Sequence, residues 1–262
     1  MTASLVAPSG SAGDYTGPFD KFVKEIEDGY HKALDKFREI IDNLNSWHIR
    51  LALAALGASG AAIIWMIKKS LQKLQEGLQR LQKFVEEVIK HHTPIISLIV
   101  QSFEWTNKIK GPNSNLSLEC TKPASDNLYN WTGAASSAYK DKATIMRAAV
   151  DEITTRSEFM AKWLFTVTKT NVEYVKKLAE IVTFLVGKLV DAAAKAGSVI
   201  GLPLLGQTIG DAAGGLTEKS LNVLIQMGVN LITALGDVRD VSGSIQDNTK
   251  LPNGAWPQVV RG

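Results

Sequence analysis

Residues 139–192 read YKDKATIMRAAVDEITTRSEFMAKWLFTVTKTNVEYVKKLAEIVTFLVGKLVDA. One row of this stretch runs Met146, Ile153, Met160, Val167, Tyr174, Ile181, and a second runs Val150, Ser157, Leu164, Asn171, Leu178, Leu185. Together they advance by alternating steps of four and three, the heptad signature of a helix with one apolar stripe. No proline interrupts the stretch, and no glycine occurs before Gly187. A stripe of this kind needs a second helix to cover it. At ~1.5 Å rise per residue, a helix over 134–195 would run ~90 Å. Ser157 and Asn171 place polar groups in the seam, where such residues set register at a cost in stability.

The covering helix is found upstream. Leu71, Leu74, Leu78, Leu81, Val85 and Val88 repeat the heptad spacing, separated by Gln, Lys and Glu. Pro94 removes a backbone donor and predicts a kink. The pattern resumes at Ile95, Ile96, Leu98, Ile99 and Phe103, and Gly111-Pro112-Asn113 is a stop signal. Ahead of this helix, Phe19 to Leu44 forms an amphipathic pattern that opens at Pro18 and is interruptible at Asn43, Asn45 and Ser46. Ala196–Gly210 is uncharged, but Gly197, Gly201, Pro203 and Gly206 point to a turn between helices. A last helix is expected over 216–235.

The seventeen residues Leu51–Ile67 carry no charge and are flanked by Arg50 and Lys68-Lys69. They have two readings. As a buried bundle helix, their alanines and glycines let neighbours approach. As a membrane segment, with Gly57, Gly60, Ile63, Ile64 and Trp65 inside the bilayer, they stand at the lower edge of a spanning length.

The fold class is therefore all-α: an elongated helical hairpin or bundle with long coiled-coil-like helices, in which 47–109 packs on 134–195 and 18–45 and 216–240 are added. The organisation reads as a flexible leader over 1–17, N-terminal helices over 18–110, a connector over 111–130, the long helix and C-terminal helix over 131–240, and a polar tail over 241–262.

Composition narrows the chemistry. The chain has 262 residues, 45% hydrophobic and 21% charged, with a net charge of +3. That charge is too small, and the basic residues too interleaved with Glu76, Glu86 and Glu87, to argue for nucleic acid. Cys120 is the single cysteine, so no intrachain disulfide forms, and an inert thiol is expected. Met1–Gly17 lacks the basic and apolar regions of a general secretory signal. No phosphate loop, dinucleotide fingerprint or nucleophile elbow occurs. The histidines are His31, His48, His91 and His92, and no two are three or four residues apart on one helix face. No catalytic, cofactor or metal residue is assigned, and an enzymatic role is not expected.

One motif opens the long helix: Asn130-Trp131-Thr132-Gly133-Ala134-Ala135-Ser136-Ser137-Ala138-Tyr139. Gly133 gives a turn room, Trp131 can stack across helix ends, and the alanines let helices close. Trp131, Gly133, Ala134, Ala135 and Tyr139 together make the stretch resemble the WxG (Trp-x-Gly) superfamily of small helical-hairpin proteins exported by type VII secretion systems. The match covers about ten residues, or about sixty with the helix. The resemblance implies a non-enzymatic protein, secreted or envelope-associated by a non-Sec route and cytoplasmic before export. It would act by self-assembly or with a helical secretion partner. It departs from the family in two ways. The Gly111-Pro112 and Pro123 breaks suggest the more distant 71–88 helix as hairpin partner. The family's export signal, a tyrosine followed four residues later by an acid, is absent at Tyr15, Tyr30, Tyr129, Tyr139 and Tyr174, so a partner would carry it. The alternative reading is a membrane-active, pore-forming helical protein inserting 51–67. A cytosolic scaffold is a third.

Overall fold

The heptad stretch forms one helix, α5 (Ala134–Ala196), in the computed structural model. Before it come α1 (Gly13–Asn45), α2 (Trp47–Ala55), α3 (Gly57–Glu104), a π-helical turn (Trp105–Lys110) and α4 (Gly111–Glu119). After it comes α6 (Leu202–Gly215). The structure describes residues 9–120, 130–216 and 222–229, with 232, 243, 249 and 251. Residues 222–229 are helical as well, and there is no strand among the described residues, so the fold is all-α. Of the leader expected over 1–17 and the connector expected over 111–130, residues 13–17 and 111–119 are helical instead, because α1 and α4 include them, while 1–8 and 121–129, half of the last helix and nearly all of the tail lie outside the described residues.

Packing of one apolar face, rather than intrinsic propensity, holds helices of this kind. The row Val150, Ser157, Leu164, Asn171, Leu178, Leu185 is buried throughout. Of the other row only Val167 is buried, while Met146, Ile153, Met160, Tyr174 and Ile181 are half-buried. The second buried line is instead Ala161, Thr168, Val175, Val182 and Leu189, one residue further on. The apolar face is three rows wide, so its centre is fixed by what packs on it and not by spacing alone. On α3, Leu74, Leu78, Leu81, Val85 and Val88 are buried and Leu71 is half-buried. Each large apolar side chain taken from water contributes on the order of 1.5–3 kcal/mol.

The chain divides into two compact units. One gathers Ile96–Lys169 with the chain ends, and the other gathers Tyr15–Ile95 with Thr170–Asn230. In the first, Phe103 meets Phe165 edge-on, with ring centroids 5.8 Å apart at 88°. Ser117 Oγ donates to Asp151 Oδ1 at 2.5 Å, and Lys110 Nζ pairs with Glu158 at 3.0 Å, fastening α4 and the π turn to α5. In the second, Phe19, Ile26 and Ile40 of α1, Leu74 and Leu81 of α3, Leu178, Leu185 and Leu189 of α5, and Leu202 of α6 are fully buried. Ser70 Oγ donates to the Gly206 carbonyl at 3.2 Å, and Lys195 Nζ to Thr208 Oγ1 at 2.8 Å. His92, adjacent to His91 in sequence, is no free surface group: its Nε2 lies 2.6 Å from Asp20 Oδ1 and its ring stacks on Phe19.

Four local expectations are corrected. Pro18 does not open α1, which begins at Gly13 and carries Pro18 within it. Gly111-Pro112-Asn113 does not stop the helix. The π turn accepts the Gly111 N–H at the Thr106 carbonyl, and Pro112 then sits in the first turn of α4, where its missing donor is not needed. The turn after α5 spans only 197–201; Pro203 starts α6 at its N-terminus, and Gly206 and Gly210 lie inside it. Residues 51–67 are neither one helix nor buried throughout: Gly57, at φ 58°, breaks them into α2 and the start of α3, and of the stretch only Leu53, Gly60 and Ile67 are buried. A residue with a Cβ is strained at that φ, which explains glycine there.

Candidate functional site

Three corners of the second unit border the broken uncharged stretch: α1–α2 at Ser46 and α2–α3 at Leu56-Gly57 along the chain, and α5–α6 at 197–201, whose helix α6 packs on the start of α3. Gly60 is buried, and a Cβ on it would lie 2.1 Å from the Leu53 carbonyl oxygen, so glycine is what lets α2 fold back on α3. A Cβ on Gly206 would meet Met66 Sδ at 3.1 Å, which puts α6 against the start of α3. Gly197 lies similarly near Asn43 at the end of α1.

Large apolar side chains are exposed on these corners: Trp47 (76%), Leu51 (62%), Trp65 (64%) and Ile200 (92%), with Leu56, Met66, Val199 and Leu204 beside them. Ile63 and Ile64 are half-buried and Gly57 is exposed. Behind α2, Ile41, Leu44, Leu53, Ile64 and Ile67 line a cavity of 470 Å³. Sequence reasoning singled out Trp65 but missed Trp47, Val199, Ile200 and Leu204. Their signal was visible as apolar residues next to Ser46 and among Gly197, Gly201 and Pro203.

Within the two segments that form these corners charge has one sign, and the acidic residues Asp42, Glu76, Asp191 and Asp211 stand directly outside them. Between 43 and 75, and between 192 and 210, there are Arg50, Lys68, Lys69, Lys73 and Lys195 and no Asp or Glu. Lys69 Nζ sits 4.9 Å from the Trp65 ring centroid. Lys195 is paired with Asp191 at 2.8 Å. Among the described residues, no helix is long and apolar enough to cross a membrane.

The Trp131 turn lies in the first unit. Gly133 adopts φ 97°, a conformation that strains any residue with a Cβ. Ser137 N–H then donates to the Gly133 carbonyl at 3.1 Å, starting α5, and Ser136 Oγ donates to the Trp131 carbonyl at 2.7 Å. The half-buried Trp131 ring packs on Tyr139 of its own helix, centroids 5.7 Å apart at 52°. Ala134, Ala135 and Ala138 are exposed, so they do not close a contact between helices of this chain as expected.

Perturbed ionisable groups stand apart from both places. Lys162 and Lys110 hold the Glu158 carboxyl below its ordinary range. Burial, then Glu87, pushes the Tyr174 hydroxyl up to about 12, and burial, then Glu86, raises Tyr30. These are surface ion pairs and buried hydroxyls of the helical packing. Cys120 is half-buried at the end of α4. No group of three or more acidic, histidine or cysteine side chains able to hold a metal is found among the described residues. No family model, curated protein or solved structure matches the chain.

Proposed function

We propose that this chain is a non-enzymatic helical protein of the WxG kind, handled by a type VII-like secretion system and acting by helix–helix assembly with a second copy or a helical partner. The observation that carries the reading is the Trp131-x-Gly133 turn, with Gly133 in the left-handed region and Trp131 packed on Tyr139, heading a helix of 63 residues. The exposed Ala134, Ala135 and Ala138 support it, because small side chains let a second helix backbone come close. With no tyrosine-plus-four acidic signal in the chain, the partner supplies the address, and the protein is cytoplasmic until it leaves by a non-Sec route.

The test is export and assembly in a host with an active type VII system. Trp131→Ala is expected to lower the secreted fraction and the assembled mass while far-UV circular dichroism stays helical. Wild-type levels of export and an unchanged oligomeric mass in that variant would overturn the proposal.

A further inference from the structure

We propose that the three corners of the second unit form a docking surface for an anionic membrane interface. The starting point is α2. Seven of its nine residues, Trp47–Ala55, are apolar, with His48 and Arg50 exposed among them, yet only Ile49 and Leu53 are buried. Exposed large apolar side chains beside a cationic one are the pattern of a helix that lies at a membrane surface. Here one side faces the chain's own cavity and the other carries Trp47 and Leu51 outward.

The composition of the exposed side selects the cover. Trp47 and Trp65 have rings that prefer the boundary between headgroups and acyl chains. Ile200, at 92% exposure, extends the apolar surface to the α5–α6 turn. The same segments carry Arg50 and Lys68 at the cavity, Lys69 against the Trp65 ring, and Lys73, with no acidic residue in either segment, which complements lipid phosphate and carboxylate groups. An apolar protein partner would not require this one-sided charge. The mode is interfacial, since α2 at ~1.5 Å per residue is less than half the ~30 Å needed to span. The corners would enter the headgroup boundary while the helices behind them remain packed.

Co-sedimentation of the full chain with vesicles decides it. Binding is expected to vesicles containing 30% phosphatidylserine, to be weak to pure phosphatidylcholine, and to fall in 1 M salt, where the screening length drops to about 3 Å. Lys68→Gln with Lys69→Gln should weaken binding to the anionic vesicles about twenty-five-fold, near fivefold per charge. Leu51→Asp and Ile200→Asp, both at exposed positions, should weaken it roughly tenfold or more while far-UV circular dichroism stays helical. Absent binding to the anionic vesicles, or wild-type binding by both aspartate variants, overturns the proposal. So does a wild-type dimer that Ile200→Asp dissociates without any vesicle binding, which would assign the surface to a second copy. The Trp131 turn lies in the other unit, so these outcomes are independent of the export reading.

Discussion

Two glycine-to-alanine changes, both inside helices, should move stability in opposite directions. In the interior of α5, a Cβ at Gly187 would have no heavy atom within 4 Å. Gly187→Ala therefore removes backbone freedom from the unfolded chain without a new contact, and should add close to 1 kcal/mol. At Gly60, near the start of α3, the same helix gain is available. The new Cβ, however, would sit 2.1 Å from the Leu53 carbonyl oxygen, where ordinary contact begins at 3.4 Å. The oxygen must retreat by roughly 1.3 Å, the difference of those two distances, and it belongs to backbone that cannot rotate away. Overpacking of this kind costs ~1–3 kcal/mol. Set against the helix gain, the net is a loss of up to ~2 kcal/mol, so the two variants should differ by ~1–3 kcal/mol. Thermal unfolding followed by circular dichroism reads this directly. An expected rise of ~2–4 °C for Gly187→Ala should accompany a fall or no gain for Gly60→Ala. Equal rises in both would refute the close approach of α2 to α3 and the docking geometry built on it.

Two further expectations concern buried hydroxyls. Thr168 Oγ1 is buried and has no hydrogen-bond partner among the described residues, so Thr168→Val should raise stability in urea by ~1 kcal/mol; a loss of similar size would mean that the hydroxyl is satisfied in solution. Tyr174 deprotonates near 10.0 when unfolded but at about 12 when folded. The unfolded chain therefore loses its proton first, and stability falls as pH rises from 10 through 12. Tyr174→Phe should flatten that fall relative to wild type in alkaline unfolding, and parallel profiles would contradict the burial of the ring.

The all-α class and the long helix were legible because a step of four and three residues leaves no other regular structure able to present one apolar face. The row Val150 to Leu185 was legible for the same reason. Its companion was not: when apolar residues occupy three adjacent rows, periodicity cannot say which pair faces the core, and the structure chose Ala161 to Leu189 over Ile153 and Ile181. Gly111-Pro112 carries every local sign of a stop. A π turn and ties from Lys110 and Ser117 to α5 carry the helix past it, and such ties are distant in sequence.

The candidate surfaces divide in the same way. The Trp131 turn could be found from spacing, because glycine at a positive φ leaves a mark in the residue type itself. What became of 51–67 could not. Seventeen uncharged residues with two glycines suit a buried helix, a membrane span or a sharp corner equally well, since composition measures only the free energy of leaving water. Which side chains actually leave it depends on neighbours brought from elsewhere in the chain. By itself the sequence determined the all-α class, the buried row from Val150 to Leu185 and the turn at Gly133. The tertiary structure alone decided that α2 folds back over Gly60 and that Trp47, Leu51, Trp65 and Ile200 stay in contact with solvent.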